Sequence, residues 1–212
     1  MGRDKALLPI GRETFVQHLI ELLKGRVSPL VVVLGHHAEE IEARITSAIA
    51  KWRPDQCAEP EAGSSAELKT ESEAQADAEP ITILHNPDYR LGQLSSLKVA
   101  IRHLTAQPVE AALVALVDHP AISASVVDLL VSRFAESHAP VLIPTFNGRR
   151  GHPVVFARSL FQELLDAPLE EGARSVVRRH AAEVELVETE EEGILLDIDL
   201  PADYAALLAK LK

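Results

Sequence analysis

The amino-acid sequence predicts an α/β domain built on a mostly parallel sheet. Short aliphatic runs alternate with segments whose apolar residues recur every three or four positions, the pattern of strands that alternate with amphipathic helices. The run 113–117 contains five apolar residues without interruption, as expected for a strand covered on both faces. Because 47% of the 212 residues are hydrophobic, the chain can form one ordinary core, and a single domain spanning 1–212 is expected.

The predicted elements follow one another along the chain with recognisable boundaries. Thr14 and Gln17 have the spacing of a capping box at the start of the first helix. Ser123 is placed to cap the helix that follows 113–117, and Pro201 is placed to open the last helix. The aliphatic runs predict seven strands, at 30–34, 81–84, 113–117, 141–144, 154–156, 184–187 and 194–198.

One stretch interrupts this alternation. Residues 53–80 contain eight acidic and two basic residues, and their apolar residues are nearly all alanine. Such a composition cannot compensate the entropy of ordering the chain, so a disordered acidic insertion is expected. The alternative is a short amphipathic helix over residues 66–78.

Deletion of residues 53–80 is therefore expected to leave the melting temperature nearly unchanged, because long surface loops contribute little to stability. Thermal unfolding of the full-length and deleted chains would check this prediction. A loss of several degrees would mean that the stretch is a packed element.

Charge and composition exclude several classes of protein. The formal net charge of −11 argues against a nucleic-acid-binding surface. Cys57 is the only cysteine, which excludes an internal disulfide and favours a reducing compartment. No apolar run approaches the roughly 20 residues of a membrane-spanning helix. The sequence thus predicts a cytoplasmic protein that neither binds nucleic acid nor enters a membrane.

Acidic residues follow two of the predicted strands. Asp118 comes directly after the run 113–117, and Asp199 follows a second apolar run, with Asp197 two positions before it. Ligands of open α/β sheets bind at the carboxyl ends of the strands, where carboxylates can hold a divalent cation against phosphate groups. Alternatively, Asp118 and Asp199 each cap the following helix.

Other residues have the chemistry needed to bind a nucleotide. Arg3 and Lys5 in the first loop could neutralise phosphate charge, although a terminal lysine is more often simply solvated. Gly92, Ser95 and Ser96 lie where a loop enters a helix, and they offer small side chains and hydroxyls to a base or ribose. Ordinary helix capping would account for one of the serines.

A cationic loop precedes the strand 154–156. Arg149, Arg150 and His152 form a compact group for an anionic second substrate, although a basic surface turn would explain them almost as well. His36 and His37 are adjacent, so their side chains are expected to diverge and not to share a metal ion.

Taken in order, these segments resemble the MobA-like nucleotidyltransferases, and within them the molybdenum cofactor cytidylyltransferases. The likeness covers nearly the whole chain except the acidic insertion. The segments that carry it are residues 1–9, Asn86-Pro87 with Gly92 and Ser95-Ser96-Leu97, Val117-Asp118-His119-Pro120, residues 148–153, Gly172-Ala173-Arg174, and residues 197–203.

The resemblance implies a three-layer Rossmann-like nucleotidyltransferase sheet with helices on both faces. It implies Mg²⁺-dependent transfer of CMP from CTP to molybdopterin with release of pyrophosphate, and a molybdoenzyme or maturation chaperone as protein partner. The site residues it implies are Lys5 and Arg3 at the triphosphate, Asp118 and Asp199 at the metal, Asn86, Gly92, Ser95 and Ser96 around the nucleoside, and His152, Arg149, Arg150 and Arg174 at the pterin.

The chain departs from the family pattern in two places. His119 stands where the family usually has glutamine. The family also begins with a strand and a Leu-Ala-Ala-Gly-x-Ser-x-Arg loop just before Met-Gly, which is where this sequence starts. The expectation is that Met1 is internal to a longer protein and that the chain as given is impaired in catalysis. The alternatives are transfer of another nucleotide to a phosphorylated small molecule, or a non-catalytic nucleotide-binding or partner-binding remnant.

Overall fold

The computed structural model describes residues 4–52 and 81–210. Within these ranges helices and strands alternate, which confirms the α/β class. The helices are α1 (Phe15–Leu23), α2 (Ala38–Trp52), α3 (Gln93–Thr105), α4 (Ala124–Ser137), α5 (Phe161–Asp166), α6 (Arg174–Arg179) and α7 (Pro201–Lys210). Short 3₁₀ turns cover Lys5–Leu7, Tyr89–Leu91, Arg158–Leu160 and Glu192–Leu195. None of the described helices has the length and apolar character needed to cross a membrane.

The strands form a mixed arrangement of parallel and antiparallel ladders. They are β1 (Pro9–Ile10), β2 (Glu13–Thr14), β3 (Leu30–Leu34), β4 (Ile81–His85), β5 (Ala111–Val114), β6 (Val141–Phe146), β7 (Arg149–Arg150), β8 (Val154–Ala157) and β9 (Val184–Glu188). The β3–β4 and β6–β9 pairs are parallel, whereas β8 lies antiparallel between β5 and β6. β8 runs antiparallel because the short β7 hairpin returns the chain directly after β6.

Helices cover both faces of the sheet. Along β6, Leu142 belongs to one hydrophobic cluster, with residues of α1, α2 and α4, while its neighbours Val141 and Ile143 belong to a second cluster, with residues of α3, α5 and α6. Successive strand residues point to opposite faces, so the two clusters are the two sides of one layered core. This arrangement is the three-layer architecture implied by the resemblance.

One predicted strand differs from the structure in its extent, and another does not form. The strand predicted at 113–117 is Ala111–Val114, and 115–118 leave the sheet. Its partner β8 starts at Val154 directly after Pro153, which has no N–H to extend the ladder. The strand predicted at 194–198 does not form, because a 3₁₀ turn at Glu192–Leu195 replaces its beginning.

The sheet is split between β3 and β5. Among the described strands, β3 pairs only with β4 and β5 pairs only with β8, so each has one edge without a ladder partner. A cavity of about 410 Å³ is lined by residues of both strands together with apolar residues of α1, α3 and α4. We call this cavity the β3–β5 slot. It explains why Val31, Leu113 and Val114, expected to be fully buried, are only partly buried.

The carboxyl ends of β3 and β5 meet at the start of the described chain. Asp4 lies beside His36 and His37, which follow β3, while Lys5 lies beside Asp118, which follows β5. The two strands therefore point their carboxyl ends toward the same place. This is the edge of an α/β sheet at which ligands bind.

Candidate functional site

Lys5 is held at the carboxyl edge of the sheet by a short helical turn. Asp4 caps this turn, because its Oδ1 accepts a hydrogen bond from the Ala6 N–H at 3.0 Å. The Lys5 ammonium donates to Asp199 Oδ1 at 2.5 Å and to Asp118 Oδ2 at 3.3 Å, and it lies 4.0 Å from Asp197 Oδ1. The structure therefore brings the side chains of Lys5, Asp118 and Asp199 together.

The backbone fixes the acidic residues around Lys5. The Ile198 N–H donates to the Asp118 carbonyl at 2.9 Å, which ties the segment before α7 to the end of the β5 loop. Because Asp197 and Asp199 flank Ile198, both carboxylates lie beside Lys5. Asp118 does not cap the following helix, since Ser123 does so by accepting a hydrogen bond from the Val126 N–H at 3.3 Å.

Electrostatics at this site favour an additional cation. Three carboxylates surround one ammonium group, which leaves them a net negative charge. Partial burial disfavours the charged form of Lys5, but the hydrogen bond with Asp199 and the charge of Asp118 outweigh it and raise the pKa of Lys5. Burial raises the pKa of Asp197, and the nearby charges of Asp118 and Asp199 raise it further. The hydrogen bond from Lys5 lowers the pKa of Asp199.

The side chains best placed to hold a metal ion differ in part from those predicted. Asp118, His119 and Asp197 each offer one ligand atom, and these atoms lie within 4.8 Å of one another. Asp199, the second ligand predicted from the sequence, is instead bonded to Lys5. Asp197 was not among the predicted ligands, although its position two residues before Asp199 was a usable signal. For His119 the sequence offered no signal of metal binding beyond its position next to Asp118.

The predicted nucleoside residues form one hydrogen-bonded cluster. The Asn86 Nδ2 donates to Ser95 Oγ at 2.8 Å and to Ser96 Oγ at 2.9 Å, while its Oδ1 accepts from the Asp88 N–H at 3.0 Å. Ser95 Oγ also donates to the Gly92 carbonyl at 2.7 Å. Asn86 is only 3% exposed, so it holds the β4–α3 loop in shape, and Ser96 is the more accessible hydroxyl.

His152 is partly buried beside the acidic cluster. Its ring centroid is 4.8 Å from that of His119, and within the described part of the chain neither Nδ1 has a hydrogen-bond partner. Burial, with a smaller contribution from His119, lowers the pKa of His152 to about 4. Gly151 lets the backbone next to His152 pack closely against Ile194, because a Cβ at position 151 would lie 2.5 Å from the Ile194 carbonyl oxygen. The ring also has a hydrogen bond with the backbone of Val114, so near Asp118 lies a neutral imidazole of which the buried Nδ1 has no partner among the described residues.

His152 should make the protein less stable in mild acid. The pKa of His152 is about 4 in the folded state, below the ordinary histidine value of about 6.5. Between these two pH values the unfolded chain binds more protons than the folded chain, so the free energy of unfolding decreases as the pH is lowered. We expect His152→Asn to remove roughly 2 kcal/mol of the loss in unfolding free energy between pH 7 and pH 4.5. Urea denaturation at both pH values would measure this difference. The same pH dependence in both proteins would contradict the assignment.

Not all predicted residues meet at this site. Arg149 and Arg150 are exposed on β7, and the charge of Arg149 acts on Glu192. Arg174, at the start of α6, is close enough to His152 for its charge to oppose protonation of that ring. Arg3 and the predicted insertion at 53–80 lie outside the described residues.

The layered sheet, with a lysine and three carboxylates at its carboxyl edge, is the arrangement of an α/β protein that binds phosphorylated ligands. Residues 1–184 match the family model of the MobA-like NTP transferase domain, and the chain belongs to this family of nucleotidyltransferases.

Named relatives agree with the family. The chain is 29% identical over 204 residues to the molybdenum cofactor cytidylyltransferase of Escherichia coli (strain K12), covering 96% of this chain and 86% of the relative. It is 25% identical over 212 residues to a probable molybdenum cofactor guanylyltransferase of Mycobacterium avium (strain 104), covering 98% and 88%.

Solved structures share the fold. A crystal structure of Rv0371c from Mycobacterium tuberculosis H37Rv superimposes with a TM-score of 0.70 at 18% identity, over 99% of this chain and 91% of that chain. A complex of Rv0371c with manganese gives a TM-score of 0.65 at 20% identity, over 98% and 93%. These similarities confirm the Rossmann-like nucleotidyltransferase architecture.

Proposed function

We propose that this protein transfers CMP from CTP to molybdopterin and releases pyrophosphate. The observation that carries the proposal is the Lys5 ammonium enclosed by Asp118, Asp197 and Asp199 at the carboxyl ends of the strands. A triphosphate needs positive charge on its oxygens, and a lysine together with a cation held by acids supplies it.

In the proposed reaction, a phosphate oxygen of the acceptor attacks the α-phosphorus of CTP. A new P–O bond forms there, the bond to the β-phosphate bridging oxygen breaks, and the electron pair leaves with pyrophosphate. Chemistry of this kind depends mostly on positioning and on neutralising charge. Lys5 would exchange its contact with Asp199 for the phosphate oxygens, which offer the same acceptor chemistry.

Mg²⁺ is the proposed cofactor. Asp118 and Asp197 would hold the ion, and Asp199 would add a third carboxylate once Lys5 turns to the phosphates. Bound there, the ion would neutralise charge that develops on the phosphate oxygens. The oxygen-rich donor set suits Mg²⁺ or Mn²⁺, and the manganese complex of Rv0371c supports a divalent cation in this fold.

The two organic substrates would occupy opposite sides of this cluster. The β4–α3 loop, shaped by Asn86, Gly92 and Ser95, would receive the nucleoside, and the Ser96 hydroxyl would contact it. His152 and Arg174 would face molybdopterin, with Arg149 and Arg150 at the outer rim of its pocket. The low pKa of His152 keeps its ring neutral, so it would act through hydrogen bonding and not through charge.

The choice of CTP over GTP rests on the greater identity to the cytidylyltransferase than to the guanylyltransferase, 29% against 25%. We expect CTP to displace a labelled nucleotide from the protein at lower concentration than GTP, with Mg²⁺ present. Tighter binding of GTP would move the proposal to guanylyl transfer.

Turnover should be measured as release of pyrophosphate from each nucleotide, with molybdopterin and with a simple phosphomonoester as acceptors. Release that requires molybdopterin supports the proposed acceptor, whereas release with the phosphomonoester favours another phosphorylated small molecule. Nucleotide binding without release from any pair would favour a binding role.

The proposed substrates and product suggest a cellular compartment and protein partners. We propose that the protein works in the cytoplasm, where CTP is made, and passes its product to a molybdoenzyme or a maturation chaperone. Because the net charge is −11, a nucleic-acid partner is not proposed.

A further inference from the structure

A second group of side chains with the chemistry of metal ligands lies next to the turn that carries Lys5. Asp4, His36 and His37 each offer one ligand atom, and these atoms lie within 4.8 Å of one another. Asp4 Oδ2 is 3.6 Å from His36 Nδ1 and 3.8 Å from His37 Nδ1. We propose that these three residues form a binding site for a zinc-like transition-metal ion, and we call it the imidazole site.

The expectation that the two adjacent histidines diverge was wrong. Their ring centroids are 3.7 Å apart, and both rings turn an Nδ1 toward the same carboxylate oxygen. The reason is the backbone of His37, which has a φ of +49° in the left-handed region. This conformation is uncommon for a residue with a side chain, and here it brings consecutive side chains to one side of the loop.

The separations match the chemistry of a metal site. Zinc holds imidazole nitrogen and carboxylate oxygen at about 2.0–2.2 Å, so adjacent ligand atoms of a tetrahedral site are about 3.3–3.6 Å apart. The 3.6 and 3.8 Å separations need to shorten by only a few tenths of an ångström. The two imidazole rings, whose centroids are now 3.7 Å apart, would also have to splay apart around the ion. With His36 57% and His37 51% exposed, water can complete the coordination.

The surrounding structure holds these ligands in place. The second oxygen of Asp4 accepts the Ala6 N–H, so the carboxylate is fixed with Oδ2 toward the histidines. Gly35 packs closely against Tyr89, because a Cβ at this glycine would lie 2.5 Å from the Tyr89 Cβ. The segment that carries His36 and His37 therefore begins at a residue that is closely packed against Tyr89.

The donor set distinguishes this site from the acidic cluster. Two imidazoles and a carboxylate favour Zn²⁺, Co²⁺, Ni²⁺ or Cu²⁺. The acidic cluster offers the carboxylates of Asp118, Asp197 and Asp199 with the single imidazole of His119, a set richer in the oxygen ligands that Mg²⁺ favours. A metal ion here would join the loop after β3 to the turn that carries Lys5, and would thereby order that turn. The proposed metal binding at the imidazole site does not depend on the proposed nucleotidyl transfer.

The test is a titration of metal-free protein with Co²⁺, followed by the visible absorption of the bound ion. All proteins carry Cys57→Ala, so that the single thiol supplies no ligand, and excess Mg²⁺ occupies the acidic cluster. We expect one Co²⁺ per chain, displaced by Zn²⁺ and not by Mg²⁺. His36→Ala and His37→Ala should each weaken binding by about tenfold or more.

Two further variants separate the site from general effects. Asp4→Asn keeps a side-chain oxygen for the Ala6 N–H and should still weaken Co²⁺ binding. His138→Ala is the matched control, because His138 is an exposed histidine with the same φ of +49° at the end of α4. It should bind Co²⁺ like the parent.

Zn²⁺ should raise the melting temperature of the parent and of His138→Ala only. Equal affinity in His36→Ala, His37→Ala and the parent would overturn the proposal, as would absence of a Co²⁺ absorption band in the parent.

Discussion

Replacement of Asp118 by asparagine is expected to reduce metal-dependent nucleotidyl transfer by at least about a hundredfold, because it removes a carboxylate that is proposed to hold the cation beside the triphosphate. The fold should survive. Asp118 is a partly exposed partner of Lys5, and loss of such an ion pair costs at most about 1 kcal/mol of unfolding free energy. Pyrophosphate release and thermal unfolding would be measured on the same preparations.

Asp128→Asn is the matched control for this variant. Asp128 lies on α4 and pairs with Arg26 at 3.1 Å, away from the acidic cluster, so its neutralisation should leave pyrophosphate release unchanged. If Asp118→Asn released pyrophosphate as fast as the parent, Asp118 would have no role at the metal.

The second large effect is expected from filling the β3–β5 slot. A variant in which a five-residue strand of valine and leucine is joined ahead of Met1 by a short glycine linker should melt roughly 5–10 °C higher than the parent, which corresponds to a net gain of about 2–3 kcal/mol in unfolding free energy. The strand would satisfy the free edges of β3 and β5 and bury apolar surface on both faces. The linker would reach the slot because Asp4 and Lys5 lie at the carboxyl ends of these strands.

A variant with a glycine-serine segment of the same length is the control for this comparison, and it should melt like the parent. Hydrogen exchange would locate the effect, since amides of Leu30–Leu34 and Ala111–Val114 should exchange more slowly only when the apolar strand is present. Identical melting temperatures and exchange in the two variants would show that the slot does not accept a strand.

Local signals in the sequence predicted the elements that depend only on near neighbours. The Thr14 N–H donates to the Gln17 side chain at 2.9 Å, as the capping-box spacing indicated, and Ser123 caps α4 as expected. The convergence of Lys5 and Asp118 was also predictable, because it follows from a general rule about the carboxyl ends of parallel strands.

Features that depend on distant partners, or on an unusual backbone conformation, were not predictable in this way. The aliphatic run after Val114 has the composition of a strand, but Pro153 on the neighbouring segment ends the ladder. The proximity of His36 and His37 depends on a single positive φ, which their sequence does not reveal. Asp197 lies with Asp118 and His119 in one group of possible metal ligands, whereas Asp199 makes the shorter contact with Lys5, and this arrangement depends on side chains that are distant in the sequence.

The most direct test of the proposed catalytic site is a titration with Mn²⁺ followed by electron paramagnetic resonance, with CTP present and absent. Mn²⁺ favours oxygen ligands and replaces Mg²⁺ at such sites. We predict one Mn²⁺ per chain that binds more tightly when CTP is present, and weaker binding in both Asp118→Asn and Asp197→Asn. Undiminished, CTP-independent binding of Mn²⁺ in both variants would contradict a metal–nucleotide site at Lys5, Asp118 and Asp197.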